Sequence, residues 1–473
     1  MLFNTLSFYA VFIGMLSVYA ILQRSSRLLM MIYVVAFSLF FFARMNPEVT
    51  WLLPLTALAS WAMTRQMDMC RGKRRTGWIW GTVAVELLPL LYFKYTNFGL
   101  DVINTLLKSN LPLPDIILPV GISFYTFQAI SYSVDVYRGE LKERMTLLEY
   151  LFFLTFFPLL LAGPITRAAT ILRQLRREEG GVDPRLLRTG LWLVMMGIVK
   201  KCIVADYLAQ FNNWAFDSPQ LYDGFELLMG VLGFSMQIYC DFSGYSDMSI
   251  GMAAMMGLRL SENFCFPYQS CSITEFWRKW HISLSSWFRD YVYIPLGGNR
   301  VAAWRMYLNN FITMVVAGLW HGSTLMFALW GAMHGAALVV HKWYGSLRGE
   351  EHPLRSPWWQ VVPGWLLCQA FLLVTWVFFR CSSLDKALFF IHRIFSEFTF
   401  HSIPAFLHVR TTWCLVLCLS LLAHGIREKW FYRIQERFIS LPWLVQTILL
   451  LAVVQLAIEL QGSDVAPFLY YKF

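Results

Sequence analysis

Apolar runs that approach or reach the length of a bilayer crossing recur from one end of this chain to the other, and they constrain its fold more than any other feature. They lie near 4–22, 28–43, 49–63, 78–96, 116–137, 150–164, 189–209, 224–242, 304–320, 324–341, 358–379, 411–426 and 441–460. A helix crosses the hydrocarbon core in about 20 residues, and in lipid only helices and closed barrels satisfy every backbone polar group. Several runs are too short or too broken to cross. Composition agrees with the pattern: of 473 residues, 57% are hydrophobic and 14% charged, against about 25% charged in a soluble domain. The fold class expected is all-α: a polytopic integral membrane protein of roughly ten to twelve spans. One domain over 1–473 uses up the chain, and no long-period repeat, low-complexity segment or soluble domain stands out.

The net charge of +10 would suggest nucleic acid in a soluble protein. Here the Lys and Arg cluster in short loops between apolar runs, the pattern of cytoplasmic loops, so topology accounts for the basicity and no nucleic-acid partner is expected. The loop 65–75 sets Arg65, Arg71, Lys73, Arg74 and Arg75 against Asp68. The stretch 167–188 sets Arg167, Arg173, Arg176, Arg177, Arg185 and Arg188 against Glu178, Glu179 and Asp183. Further basic stretches lie at 342–355 and 427–437, and Arg24 and Arg27 fall on the same side if the second and third runs form a hairpin. No charge precedes Leu22, unlike the basic opening of a signal peptide. The first run is therefore expected as a retained span with its N-terminus outside. If 138–149 and 167–188 are both cytoplasmic, the run between them, broken by Pro158 and Gly163-Pro164, reads as re-entrant. Irregular backbone at membrane depth must be buried in protein or line water, so a cavity is implied there.

The nine cysteines form no Cys-x-x-Cys pair, and neither a disulfide framework nor a zinc site is indicated. Cys414 and Cys418 share a helix face and read as small hydrophobes.

Polar groups inside apolar segments mark candidate sites, and three regions hold them. In Tyr239-Cys-Asp241-Phe-Ser-Gly-Tyr-Ser-Asp247 the two carboxylates are about 120° apart on a straight helix. They meet only if the helix breaks at Gly244, and otherwise serve as caps or backbone acceptors. The segment 272–298 opens with a capping box, Ser272-x-x-Glu275. A helix from there to Pro295 places Trp277, Trp280, Leu284, Trp287 and Tyr291 on one face and Arg278, His281, Ser285 and Arg289 on another. This describes an interfacial helix whose basic face meets lipid headgroups. The third region is Gly318-Leu-Trp-His321-Gly322 with Gly331-Ala-Met-His334-Gly335. Both are close-packing Gly-x-x-x-Gly frames, but packing does not explain the histidines, and a neutral imidazole can act as a general base. On one helix His321 and His334 stand roughly 20 Å apart, so they act together only if the segment breaks at Gly322-Ser323. His334 and His341, at i and i+7, read as structural.

Taken together, several segments resemble the membrane-bound O-acyltransferase family. They are Phe276-Trp-Arg-Lys-Trp-His281-Ile-Ser-Leu-Ser-Ser-Trp-Phe-Arg-Asp-Tyr-Val-Tyr-Ile-Pro-Leu-Gly-Gly298, Leu319-Trp-His321-Gly322, Phe93-Lys-Tyr-Thr-Asn-Phe98, Pro119-Val-Gly-Ile-Ser-Phe-Tyr-Thr-Phe-Gln128, Gly163-Pro-Ile165 with Arg167, and Asp241-Phe-Ser-Gly-Tyr-Ser-Asp247. The likeness covers most of the chain, is densest over 119–341, and is strongest to the branch that O-acetylates exported polysaccharides such as alginate. It implies a ring of helices, with re-entrant and interfacial pieces, around a central funnel where acyl groups are transferred. It also ranks the histidines: His321 as the catalytic residue and His281 as its upstream companion.

An acyl thioester is already activated, so the remaining work is to deprotonate a hydroxyl and stabilise an oxyanion. His321 is the expected base, with His281 orienting it or donating to the oxyanion. Arg278 and Arg289 are expected to attract the phosphates of acetyl-CoA, although as ligands of membrane lipid they would look the same. Asp241, Asp247, Trp280, Trp320 and Gln128 are further substrate-binding candidates. The expected enzyme is thus an O-acyltransferase of the bacterial cytoplasmic (inner) membrane. It takes acetyl from cytosolic acetyl-CoA and passes it to a periplasmic or extracellular acetyl-accepting protein, and through that to a polysaccharide, with no permanently bound cofactor and no metal. Leu159, where many relatives carry a polar residue, and Lys472, where many carry glutamine, depart from the pattern and bear on acceptor or partner. Two rivals stand beside this reading: D-alanyl transfer to teichoic acid from a carrier-protein thioester, and a membrane transporter. Against the transporter, no paired repeat halves are visible and the intramembrane ionisable residues concentrate in one central region.

Overall fold

A computed structural model describes residues 3–177, 182–348, 358–460 and 468–469. Lys472, Glu178, Glu179 and Arg355 lie outside them. The elements among the described residues are all helices. Six are long and apolar enough to cross a membrane: Leu6–Ser25, Arg27–Met45, Gly72–Leu107, Leu325–Leu347, Val361–Arg380 and Trp443–Leu460. Ile403–Val409 and Thr411–Gly425, bent by 92°, make a seventh if they count as one span. The other apolar runs are helical too, but shorter, broken or more polar. All nine cysteines are free thiols.

The helices pack as two compact units, Met1–Val194 with Tyr245–Ser261, and Met195–Gly244 with Glu262–Phe473. In the first, the segment expected to be re-entrant does break. Leu147–Thr155 starts on a capping box, in which Thr146 Oγ1 accepts from the Glu149 N–H while the Glu149 carboxylate accepts from the Thr146 N–H. The helix stops at Phe156 and resumes as Phe157–Ala162, with Pro158 in its first turn, where a proline's missing N–H costs nothing. Hydroxyls satisfy the interrupted backbone: Ser38 Oγ accepts from the Phe157 N–H at 3.2 Å, and Ser249 Oγ donates to the Pro158 carbonyl at 2.6 Å. Side chains from Phe152 to Ile165, Leu159 among them, are buried, so protein surrounds this irregular backbone as the hydrocarbon region requires.

The basic loops of this unit meet through ion pairs. Arg144 binds Asp68 with two nitrogens at 2.7 and 2.8 Å, while Arg176 and Arg27 reach Glu149 at 2.9 and 3.3 Å. Burial alone would raise the Glu149 carboxyl, but Arg176 and the Thr146 N–H outweigh it and hold it below its ordinary value. Arg27, the 65–75 loop, the 138–149 loop and Arg176 therefore come together, as residues on one side of a membrane should. The same unit also holds a group that sequence reading missed. Glu86 is fully buried, accepting from Ser60 Oγ at 2.5 Å and Ser133 Oγ at 2.6 Å. Intramembrane ionisable groups are thus not confined to one region.

Candidate active site

The second unit holds both histidines of interest. Helix Ala303–His321 ends on His321, and after Gly322 and two further residues Leu325–Arg348 begins. The break at Gly322-Ser323 that the sequence left conditional does occur, and it folds the two helices into a hairpin. Its glycines are packing devices: a Cβ on Gly318 would overlap the Phe327 carbonyl and come within 2.9 Å of the Gly331 Cα, and a Cβ on Gly322 would enter the Phe327 ring. The tight turn brings Trp330 against His321, ring centroids 5.1 Å apart and nearly perpendicular at 88°. Trp320 at 5.1 Å and Phe379 at 5.9 Å complete an aromatic wall around an imidazole that is only 2% exposed.

His281 arrives differently from the expectation. The predicted single amphipathic helix is two short ones, Ile273–Lys279 and Ile282–Phe288, separated at Trp280-His281, followed by a π-helical turn at Arg289–Tyr293. His281 takes a left-handed backbone, φ 44°, a conformation histidine tolerates better than most residues. The backbone of 263–265 pairs across the break, with the Cys265 N–H on the Lys279 carbonyl and the Ile282 N–H on the Asn263 carbonyl. The kink rotates His281 off the polar face and into the core, where it is fully buried.

There, Asn263 Oδ1 accepts from the Ser283 N–H, Ser283 Oγ and His281 Nδ1, the last at 3.2 Å. An amide oxygen only accepts, so Nδ1 carries the proton and Nε2 presents a lone pair. Burial pushes this imidazole down to about 3, so it is neutral at physiological pH. Trp320 links the two sites, its ring 5.9 Å from His281 and 5.1 Å from His321.

His334 is also buried and takes the Trp277 indole N–H on Nδ1 at 3.3 Å, which suits the structural role expected of it. His341 Nδ1 lies 3.0 Å from Thr274 Oγ1.

A cleft of about 210 Å³ opens beside this cluster, lined among others by Trp277, Ser285, Arg289, Tyr293, Met314 and Ala317. Met314 and Ala317 precede His321 by seven and four residues, so they share its helix face. Arg289 is exposed and pairs with Asp290 at 2.8 Å, and Arg278 is exposed as well. Lys342 approaches two of the lining residues, over the Tyr293 ring and donating to Asn310 Oδ1 at 3.0 Å.

This geometry can be set beside known proteins. Residues 137–384 match the membrane-bound O-acyltransferase family. A probable alginate O-acetylase of Pseudomonas putida is 36% identical over 85% of this chain and 86% of its own length. A peptidoglycan O-acetyltransferase of Helicobacter pylori is 34% identical over 82% and 78%. A teichoic acid D-alanyltransferase of Bacillus subtilis is 28% identical over 62% and 75%. The chain belongs to the membrane-bound O-acyltransferase family. It is a multi-pass membrane acyltransferase, and the matched stretch contains the hairpin, both histidines and the cleft.

The remaining candidate residues of this acyltransferase are divided between the two units, and both histidines belong to the second. Gln128, buried on Ile122–Arg138, and Asp247 belong to the first unit. Gly224–Met255 runs unbroken through Gly244, so Asp241 and Asp247 stay on different sides of one helix. Gly244 permits close approach instead: a Cβ there would stand 2.9 Å from both the Gly197 carbonyl oxygen and the Lys201 nitrogen. Asp241 has a structural task. One oxygen binds Lys201 Nζ, which also reaches Asp206 at 2.7 Å, and the other accepts the Leu469 N–H at 2.8 Å. Phe468 then packs on Phe242, and Phe242 on His281 at 4.6 Å. Trp280 is buried among Phe264, Phe276 and Trp376.

Lys201 is 1% exposed and offsets two carboxylates. Lys201→Met should therefore destabilise the protein by about 3–5 kcal/mol, because it sets Asp206 and Asp241 against each other in a low-dielectric site. Thermal unfolding in detergent checks this, and an unchanged midpoint would show that the cluster is not carrying its neighbours. Sequence reading also missed Trp330, Phe379, Trp376 and Asn263, which lack any local motif and become neighbours only through the hairpin and the kink.

Proposed function

We propose that this acyltransferase takes acetyl groups from cytosolic acetyl-CoA at a site centred on His321 and passes them across the bacterial inner membrane, through an acetyl-accepting partner, to an exported polysaccharide. The observation that carries the reading is His321 itself, a buried imidazole in an aromatic wall, on the same helix face as an apolar cleft rimmed by cations. His321 removes the proton from the acceptor hydroxyl as its oxygen attacks the thioester carbonyl carbon. The tetrahedral intermediate expels the thiolate, which takes the proton back from the imidazole. Arg289 and Arg278 favour the phosphates of the donor, and the cleft suits its less polar arm. His281, with its ring on Trp320, positions the wall that holds His321. The acetylase relatives, over most of the chain, support acetyl as the group and a glycan as the acceptor. The peptidoglycan enzyme's coverage of 82% of the chain keeps a cell-wall glycan beside alginate as acceptor.

The decisive experiment reconstitutes the full chain in proteoliposomes with acetyl-labelled acetyl-CoA, candidate glycans and candidate partner proteins. Label should leave free acetyl-CoA and become covalently attached to partner and glycan. Transfer that requires a carrier-protein thioester instead would place the chain with the D-alanyl enzymes. Flux without covalent transfer would refute the proposal.

A further inference from the structure

Acyl transfer needs two things near His321: a base for the acceptor hydroxyl and a donor for the negative charge that develops on the carbonyl oxygen. His281 cannot be that donor in its neutral form, because its one N–H is committed to Asn263 and Nε2 offers only a lone pair. Meanwhile the interior around His321 holds polar atoms that the fold leaves unsatisfied. The indole N–H groups of Trp280, Trp330 and Trp376 are buried with no hydrogen-bond partner, and so are Nε2 of His281 and Nε2 of His334. A buried donor left unmade costs about 1–3 kcal/mol, and each such group asks for an explanation, a catalytic role among them.

The three indoles are in contact with one another: Trp280 on Trp376 at 5.2 Å, and Trp376 stacked on Trp330 at 6.2 Å and 23°. Trp330 meets the His321 ring at 5.1 Å between centroids, nearly perpendicular, so indole and imidazole are close enough to act on one acyl group. His334 sits one turn further along the same helix, its ring against Trp330 at 4.6 Å.

We propose that the Nε1–H of Trp330 is the hydrogen-bond donor to the oxyanion formed when the acceptor hydroxyl attacks the acyl thioester. The inference rests on His321 being the base. As the acceptor oxygen bonds to the carbonyl carbon and its proton passes to His321, the carbonyl π pair moves onto oxygen, and that oxygen accepts from the indole. When the C–S bond breaks, the pair returns to re-form the carbonyl, the thiolate takes the proton from His321, and the hydrogen bond slackens. A donor already fixed by packing costs no reorganisation during the step, which is what makes it effective. The tryptophan is rigid because it is 1% exposed and walled by His321, Phe379 and Trp376.

The test compares initial rates of thiol release from acetyl-CoA by full-length protein in proteoliposomes. Trp330→Phe keeps a ring and deletes the N–H. It should lower kcat by about 10²–10³-fold, the loss typical of one oxyanion donor, with KM little changed. Trp376→Phe, which also removes a buried N–H from this wall, should lower kcat much less. A second probe is a ketone analogue of acetyl-CoA with a 13C carbonyl, whose infrared stretch should move toward the unbonded frequency in Trp330→Phe. A merely structural tryptophan would not shift that band.

If Trp330→Phe does not fold, benzothienylalanine at 330, equal in shape but without the N–H, gives the same comparison. Wild-type kcat in either N–H-deleted protein, an equal loss in Trp376→Phe, or an unmoved carbonyl band would each overturn the assignment. A His321→Ala protein that is inactive beside a fully active Trp330→Phe refutes this inference alone. A His321→Ala protein that is fully active refutes both it and the function proposed above.

Discussion

His321→Ala is expected to lower acyl transfer by about 10²–10⁴-fold, the range that a positioned general base contributes. The imidazole ends helix Ala303–His321, where the chain must turn, and aromatic rings hold it from at least three directions. An imidazole so confined cannot swing away, and a neighbouring side chain cannot easily take its place. Because truncation also opens a cavity, His321→Gln serves as the companion variant of similar volume. Transfer should collapse in both, and His321→Gln should elute and melt like wild type. Retained activity in a folded His321→Gln protein would remove His321 from the chemistry.

The second large effect is on the hairpin. Gly318→Ala or Gly331→Ala should destabilise by more than the ~1–3 kcal/mol of ordinary overpacking, because the methyl collides with backbone and not with a side chain that can rotate. At Gly331 it would overlap the Met314 carbonyl and stand 3.1 Å from the Gly318 Cα. The helices can accommodate it only by moving apart, which displaces His321 relative to Trp330. Since a misplacement of about 1 Å can cost about 10²-fold in rate, activity should fall together with the melting temperature. Gly14→Ala, where a Cβ meets nothing within 4 Å, is the control and should change neither. A Gly318→Ala protein of wild-type stability would contradict the close approach.

Several parts of this molecule are legible in a single sequence because they depend on local rules. Ser272 with Glu275 and Thr146 with Glu149 start helices as their spacing implies, although Glu275 reaches back to the Cys271 N–H and not to that of Ser272. Pro158 breaks its segment, and the Gly-x-x-x-Gly frames bring helices close. Other features depend on what the chain meets elsewhere. The stretch 272–298 has an unbroken helical pattern, yet it kinks because Asn263 and its neighbours supply backbone and side-chain partners that a helix would not. In the opposite sense, Gly244 suggests a break, yet its helix continues because the glycine makes room for Gly197 and Lys201.

By itself, then, the sequence determined that the chain is an all-helical, multi-pass membrane protein and where most of its helices lie, and, through family motifs, it singled out His321 and His281 for testing. These follow from hydrophobic length, charge distribution and short motifs, each read over a few consecutive residues. Tertiary structure decided which polar groups share a site. It turned His281 inward and fixed its proton on Nδ1, set Trp330 against His321, gave Asp241 to Lys201 and Leu469, and buried Glu86 between two serines. The physical reason is that a side chain's chemistry in a dry interior is set by its neighbours' donors and acceptors, and those neighbours come from segments far apart in the chain.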